Sequence, residues 1–239
     1  METDTPTISQ RRLLNDAVIY AEGSEFATKL HEGLGYALAA EVVLTTHPSW
    51  AEFGTHAVAS SLDGADGKLK DMAVRTASKV LFKHERNIRD DKPTADEWIV
   101  LKEHDIADNP RGDERTDKRY FYSLMGSLMV RMARNGNNKT AAILTANVTV
   151  SKIRDDTKGS LRDYAQSNGW ETNAKALGKA KTALHNIGIG VLLAPVFNNR
   201  VGRTIGSGLI SVGTLVGIAD LSRYKRYLRQ QEQLSTEQH

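Results

Sequence analysis

Uncharged stretches with helical spacing alternate with short polar breaks along this chain, and no segment shows the strict alternation of a half-buried strand. Residues 1–10 are polar, include Pro6, and are expected to be disordered. From Arg11 to about His47, Leu13, Leu14, Val18 and Ile19, and then Leu30, Leu34, Leu38 and Val42, recur on one helical face until Pro48 ends the pattern. Phe53 to Leu62 is uncharged and runs straight into Asp63, which predicts one helix over 51–74. Residues 83–112 are the most heavily charged part of the chain, with Pro93 and Pro110 as breakers. Mixed charge of this kind predicts a solvated excursion, tucked back onto the body by Trp98-Ile99-Val100-Leu101.

Tyr120 to Val130 is apolar again, closed by Arg131, Arg134 and the loop signal Asn135-Gly136-Asn137-Asn138. Thr140 to Ser151 is uncharged, residues 155–175 are polar, and Ala183–Asn199 and Thr204–Ala219 are the last two apolar stretches. The pattern predicts an all-α fold of about six helices. Its main domain would span residues 11–228, with a charged insertion at 83–112 and a polar tail over 229–239.

Composition narrows this picture. A chain of 239 residues makes one large domain or two small ones. A net charge of +3 permits an anionic partner, such as a phosphate ester or an acidic membrane, without demanding one. The absence of cysteine excludes disulfides, zinc ribbons and thiol catalysis, and the seven histidines show no metal-ligand spacing. Met1 to Asn15 is polar throughout, so no secretory signal is expected there.

On membranes the signals conflict. The mean hydropathy of −0.43 favours a soluble protein, and no uncharged run reaches the ~20 residues of a spanning helix. Lys29, Glu32 and Glu41 interrupt the first candidate helix. Yet Gly202-x-x-x-Gly206 and Gly213-x-x-x-Gly217 have the small-residue spacing of packed membrane helices. Arg200 and Arg203 precede this stretch, and Arg223, Lys225 and Arg226 follow it.

Two acidic clusters are the candidate chemistry. Asp63 and Asp66 stand at i and i+3, Asp113 and Asp117 at i and i+4, so each pair shares a helix face. Two such faces packed together would form a nest of hard oxygen ligands suited to Mg²⁺ or Mn²⁺. Gly67 would leave room for a ligand or a neighbouring backbone. Asp-Gly pairs also mark turns and Asp/Lys pairs mark wet helix surfaces, so spacing leaves both readings open.

The pattern Asp63-x-x-Asp66-Gly67, followed by Asp113-x-x-x-Asp117, resembles the signature of the CDP-alcohol phosphatidyltransferases. These multi-pass membrane enzymes move a phosphatidyl group from a CDP-linked lipid to an alcohol. The family signature reads Asp-x-x-Asp-Gly-x-x-Ala-Arg, then Gly-x-x-x-Asp-x-x-x-Asp. Here Lys70 and Asp71 stand in place of Ala and Arg, Asn109 in place of the second Gly, and the spacer is longer than usual. Leu177-Gly178-Lys179-Ala180-Lys181-Thr182 lacks the upstream glycine of a nucleotide P-loop. It is instead similar to a segment of the bacterial phosphatidylglycerophosphate synthases, as is the upstream run with Arg154-Asp155, Leu161-Arg162, Ala165 and Gly169. The resemblance covers about residues 53–70 and 113–222.

The resemblance implies a polytopic membrane bundle in the cell membrane, with ionisable residues facing a polar interior. It implies Mg²⁺ or Mn²⁺ on Asp63, Asp66, Asp113 and Asp117, with Asp117 also the general base. Asp63, Gly67 and Lys70 would meet the nucleotide. Arg154, Arg162, Lys179, Lys181 and Thr182 would hold the acceptor phosphate. The substrates implied are CDP-diacylglycerol and an alcohol phosphate, glycerol 3-phosphate first, with CMP released. Membrane lipid is a partner, nucleic acid is not, and a homodimer is left open. A non-catalytic relative that keeps the bundle, and a soluble helical protein with surface acidic clusters, remain the alternatives.

Overall fold

The computed structural model describes residues 7–84, 86, 93–106, 111–168, 170 and 176–237, without the side chains of 95, 111–117, 166, 176, 236 and 237. Among the described residues run seven α-helices and no strand: α1 Ile8–Leu44, α2 Trp50–Leu81, α3 Ala95–Glu103, α4 Arg111–Arg134, α5 Asn138–Ser167, α6 Ala176–Leu193 and α7 Arg200–Glu237. The all-α class is the one the periodicity predicts. Several bounds differ, for physical reasons. α2 outruns the expected 51–74 because Ala73, Val74 and Ala77 keep an apolar face beyond Lys70-Asp71. The polar stretch after Asp155 stays helical to Ser167, since much of its charge is turned inward. Ala183–Asn199 is not one helix: α6 stops at Leu193 and a single 3₁₀ turn, Pro195–Phe197, follows. The polar tail continues α7 as far as Glu237.

Two helix starts carry reciprocal caps and two more a one-way cap. Thr7 and Gln10 cap α1: the Gln10 backbone N–H donates to Thr7 Oγ1 at 3.3 Å and the Thr7 N–H to Gln10 Oε1 at 2.7 Å. Thr94 and Glu97 do the same for α3. Ser49 accepts the Glu52 N–H at 3.0 Å, and Asn199 accepts that of Gly202 at 2.8 Å.

The chain forms two compact units, Met1–Ala37 with Thr55–Phe121, and Leu38–Gly54 with Tyr122–His239. In the first, Ala17 of α1 and Ala73, Val74 and Ala77 of α2 pack with Leu101 and Ile106. Leu101 and Ile106 are 0% and 1% exposed, so the charged insertion is tucked onto the body through Leu101, as expected, and through Ile106 as well. Each such side chain is worth about 1.5–3 kcal/mol of burial. Trp98 packs against the same core, while Ile99 faces out. Elsewhere in this unit Tyr120 lies against His31, with ring centres 4.5 Å apart, and bonds His56 Nδ1 through its hydroxyl at 2.6 Å. Gly35 makes room for that ring, because a Cβ there would come within 2.4 Å of Tyr120 Cδ2.

Along α5–α7 the second unit buries polar as well as apolar side chains, and the outer face of α5 carries the exposed Lys152–Asp156 ion pair. Leu144, Ile189, Leu193 and Ile210 are fully buried, but so, nearly, are Asn147, Ser151, Arg154, Asp155, Lys158, His185, Thr214 and Asp220. Ile153, Ile187, Val201, Val212 and Leu215 are exposed. α6 and α7 touch backbone to backbone: a Cβ on Gly206 would lie 2.9 Å from the Gly188 carbonyl, and one on Gly188 would lie 2.8 Å from that of Gly206. The predicted small-residue packing is therefore realised at Gly206, with Gly188 of α6 as its counterpart. α7 is the one described helix long and apolar enough to cross a membrane. At the α1–α2 turn, buried Arg131 of α4 donates to Glu52 Oε2 at 2.6 Å, and Arg134 and Asn135 donate to the Val43 and Thr46 carbonyls.

Candidate functional site

In the first unit the aspartate pairs lie on α2 and α4. Asp66 is buried and accepts a hydrogen bond from the Ser24 hydroxyl of α1, while Asp63, one turn earlier, is partly exposed. Gly67 is exposed, and a Cβ there would meet nothing within 4 Å among the described residues. Lys70 is half-buried one turn beyond Asp66. Asp71, which replaces the family's arginine, forms an ion pair with Arg75 Nε at 3.0 Å, so its charge is compensated along the helix. Asp113 and Asp117 are one turn apart in the first half of α4, and their side chains lie outside the described residues, as does Asn109. Asp63 and Asp66 are hard oxygen donors of the kind Mg²⁺ takes. Among the described residues no group of three or more His, Asp or Glu is placed to hold a metal, so the full set depends on the α4 pair.

In the second unit α4, α5, α6 and α7 bring a charged cluster together. Arg154 Nε donates to the Gly217 carbonyl at 3.1 Å, Nη2 to Asp220 Oδ2 at 2.6 Å, and Nη1 to Asp155 Oδ1. Lys181 Nζ reaches both oxygens of Asp155, at 3.0 and 3.2 Å, and the Tyr122 hydroxyl donates to Asp155 Oδ2 at 2.9 Å. Lys158 donates to Asp220 Oδ2. A Cβ on Gly217 would stand 3.3 Å from Lys181 Cδ and 3.5 Å from Arg154 Nε, so the glycine lets both cations approach α7. Below the cluster, Thr214 donates to the Ile210 carbonyl at 3.0 Å, which makes His185 Nε2–H the donor to Thr214 Oγ1 at 3.3 Å. Buried ions need such partners, because losing one leaves an uncompensated charge. The cluster sets three cations, Arg154, Lys158 and Lys181, against two carboxylates. It is suited to receiving an anion.

Two of the expected acceptor-binding residues, Arg154 and Lys181, thus meet across Asp155. Arg162 is half-buried two turns after Arg154 and acts electrostatically on Lys158. Lys179 and Thr182 are exposed, and the Thr182 hydroxyl donates to the Gly178 carbonyl of its own helix. The structure does not bring these two into the cluster. Lys158, Asp220 and Tyr122 were missed by the sequence reading. Arg154, Lys158 and Arg162 recur at i, i+4 and i+8, a stripe that could have revealed Lys158. Asp220 directly follows the uncharged run Thr204–Ala219 and is hidden if the helix is ended there. Compared with known proteins, the chain matches no family description, no curated protein and no solved structure.

Proposed function

We propose that the chain is a metal-dependent phosphatidyltransferase of the CDP-alcohol class, embedded in the membrane as a multi-pass bundle and using glycerol 3-phosphate as acceptor. The observation that carries this reading is the meeting of Arg154 and Lys181, far apart in sequence and both nominated by the motifs, in one buried cation-rich cluster with Lys158. The membrane part is supported by α7, long and apolar enough to span, whose exposed Val201, Val212 and Leu215 back onto buried Thr214 and Asp220.

In this reading Arg154, Lys158 and Lys181 bind and orient the acceptor phosphate, and their fixed donors limit its motion before reaction. Asp63 and Asp66, with Asp113 and Asp117, would hold the divalent cation, which when bound neutralises the pyrophosphate of the donor. Asp117 takes the proton of the acceptor hydroxyl as that oxygen bonds to the phosphatidyl phosphorus, and the bond from phosphorus to CMP breaks. Gly67 keeps α2 clear for the nucleotide, and Lys70 supplies a cation nearby. The test is CMP release from CDP-diacylglycerol by purified protein with Mg²⁺ and a panel of alcohols. Release that requires glycerol 3-phosphate, stops with a chelator and returns with Mg²⁺ is expected. No release with any alcohol would overturn the enzyme reading.

A further inference from the structure

We propose that Ser24 of α1 is a positioning residue for the divalent cation, turning the Asp66 carboxylate into the orientation in which it takes the metal. The inference rests on the metal reading of the aspartates. Within a helix a serine hydroxyl commonly donates to the carbonyl one turn back, as Ser61, Ser127, Ser207 and Ser211 do here. Ser24 instead donates across to Asp66 Oδ1 of α2, and the two residues are 8% and 7% exposed. Asp63, one turn earlier on α2, is partly exposed and has no hydrogen-bond partner among the described residues. The two carboxylates of the first pair are therefore held differently.

A helix fixes where an aspartate side chain starts but not how its carboxylate plane is turned, because that last torsion joins an sp³ to an sp² carbon and has broad wells. A donor from outside the helix supplies what the helix cannot. Ser24 is suited to this, since its own side chain is short and its place on α1 is fixed from both directions. Two turns before it, Ala17 packs with Ala73, Val74 and Ala77 of α2. Two turns after it, His31 donates its Nδ1–H to the Ala59 carbonyl at 2.7 Å, a carbonyl being able only to accept. α1 thus stays on α2 without the Ser24 bond, and what that bond governs is the carboxylate.

Groups that hydrogen-bond a ligating carboxylate tune metal affinity although they never touch the ion. A carboxylate already turned into place loses little freedom when the cation arrives, whereas Asp63 has still to be ordered. Asp66 is in this way the preset ligand of the pair, and Ser24 acts through it.

The full chain in detergent micelles would be titrated with Mn²⁺, the free ion being followed by electron paramagnetic resonance. Wild type should bind Mn²⁺ and Asp66→Asn should lose it. Ser24→Ala should weaken binding by about tenfold to a hundredfold, while Ser24→Thr, which keeps the hydroxyl, should stay within about threefold of wild type. At saturating Mn²⁺, KM for glycerol 3-phosphate should be the same in Ser24→Ala as in wild type, because Arg154, Lys158 and Lys181 are untouched. A Ser24→Ala protein that melts lower yet binds Mn²⁺ as wild type does would make Ser24 a packing residue and overturn the proposal, with the metal reading intact. If wild type binds no Mn²⁺, or Asp66→Asn binds it as tightly, the metal reading itself falls and takes the proposal with it. Should Ser24→Ala fail to fold, Ser24→Cys keeps a side chain of similar size with a weaker donor. It should weaken Mn²⁺ by about threefold or more, and unchanged affinity there would equally overturn the proposal.

Discussion

Lys179 and Lys181 stand two residues apart in α6 and leave opposite sides of the helix, so replacing each with Met separates the cluster from the motif that contains it. Lys181 is 12% exposed and contacts both Asp155 oxygens. Losing a charge-assisted contact of this kind costs about 1.5–3 kcal/mol. Asp155 retains Arg154 and Tyr122, which keeps the cost below the ~3–5 kcal/mol of a fully orphaned buried charge. On the proposed function the same ammonium also meets the acceptor phosphate. At about 1.4 kcal/mol per decade, KM for glycerol 3-phosphate should then rise roughly tenfold to a hundredfold, with KM for the lipid donor little changed. Lys179 is exposed, so Lys179→Met should alter stability by about 0.5 kcal/mol at most and KM by no more than about twofold. Thermal melts read the first quantity, and CMP release at saturating CDP-diacylglycerol reads the second. Equal effects of the two substitutions, or a Lys181→Met protein unaltered in both, would refute the reasoning.

Other outcomes follow from separate parts of the fold. Glu52→Gln leaves the Arg131 guanidinium buried without its counterion and should cost about 3–5 kcal/mol in denaturant unfolding, whereas the joint change Glu52→Leu with Arg131→Met should recover most of that. Gly206→Ala forces a methyl to within 2.7 Å of Leu192 Cγ and 2.9 Å of a backbone oxygen, so it should destabilise by about 1–3 kcal/mol. Gly208→Ala, with open space around it, should instead stabilise α7 by up to about 1 kcal/mol, and melts of the two variants decide between them. Thr94→Ala removes the α3 cap at a cost of about 1 kcal/mol. Burial pushes the Glu97 carboxyl up, but the Thr94 backbone N–H and Arg86 outweigh it and hold the group below its ordinary 4.5. Its contribution is therefore complete above pH 4.5 and lost as pH falls through the lower folded value. Unfolding measured against pH should lose that slope in Glu97→Gln.

The helical class and most helix positions were legible, because a period of 3.6 needs only local sequence. What misled was charge. Polarity after Asp155 and after Ala219 suggested the ends of helices, yet Arg154, Lys158 and Asp220 are buried by partnering one another across helices. Local pattern cannot show a partner some sixty residues away. Leu101 was expected to tuck the insertion back, but Ile106 was obscured by the charges around it. The motif Leu177–Thr182 was read as one patch, but only the helix phase separates Lys181, which faces the cluster, from Lys179, which does not. Arg154 and Lys181 were singled out by family pattern rather than by spacing, which could not show that they meet across Asp155.

α7 also has a mechanical consequence. Its 38 residues form an unbroken rod roughly 57 Å long at 1.5 Å per residue. A bilayer's hydrocarbon is only about 30 Å thick, so on the membrane reading the stretch from Arg200 nearly fills it by Asp220. The remainder carries the exposed cations Arg223, Lys225, Arg226 and Arg229 but stays docked: Tyr224 and Leu228 pack against Ala165, and the Tyr164 hydroxyl donates to Glu232 at 2.8 Å. α5 and α7 are thus tied together on both sides of Asp220, so a load on the cationic stretch is shared by two helices and leaves Asp220 in step with Arg154 and Lys158.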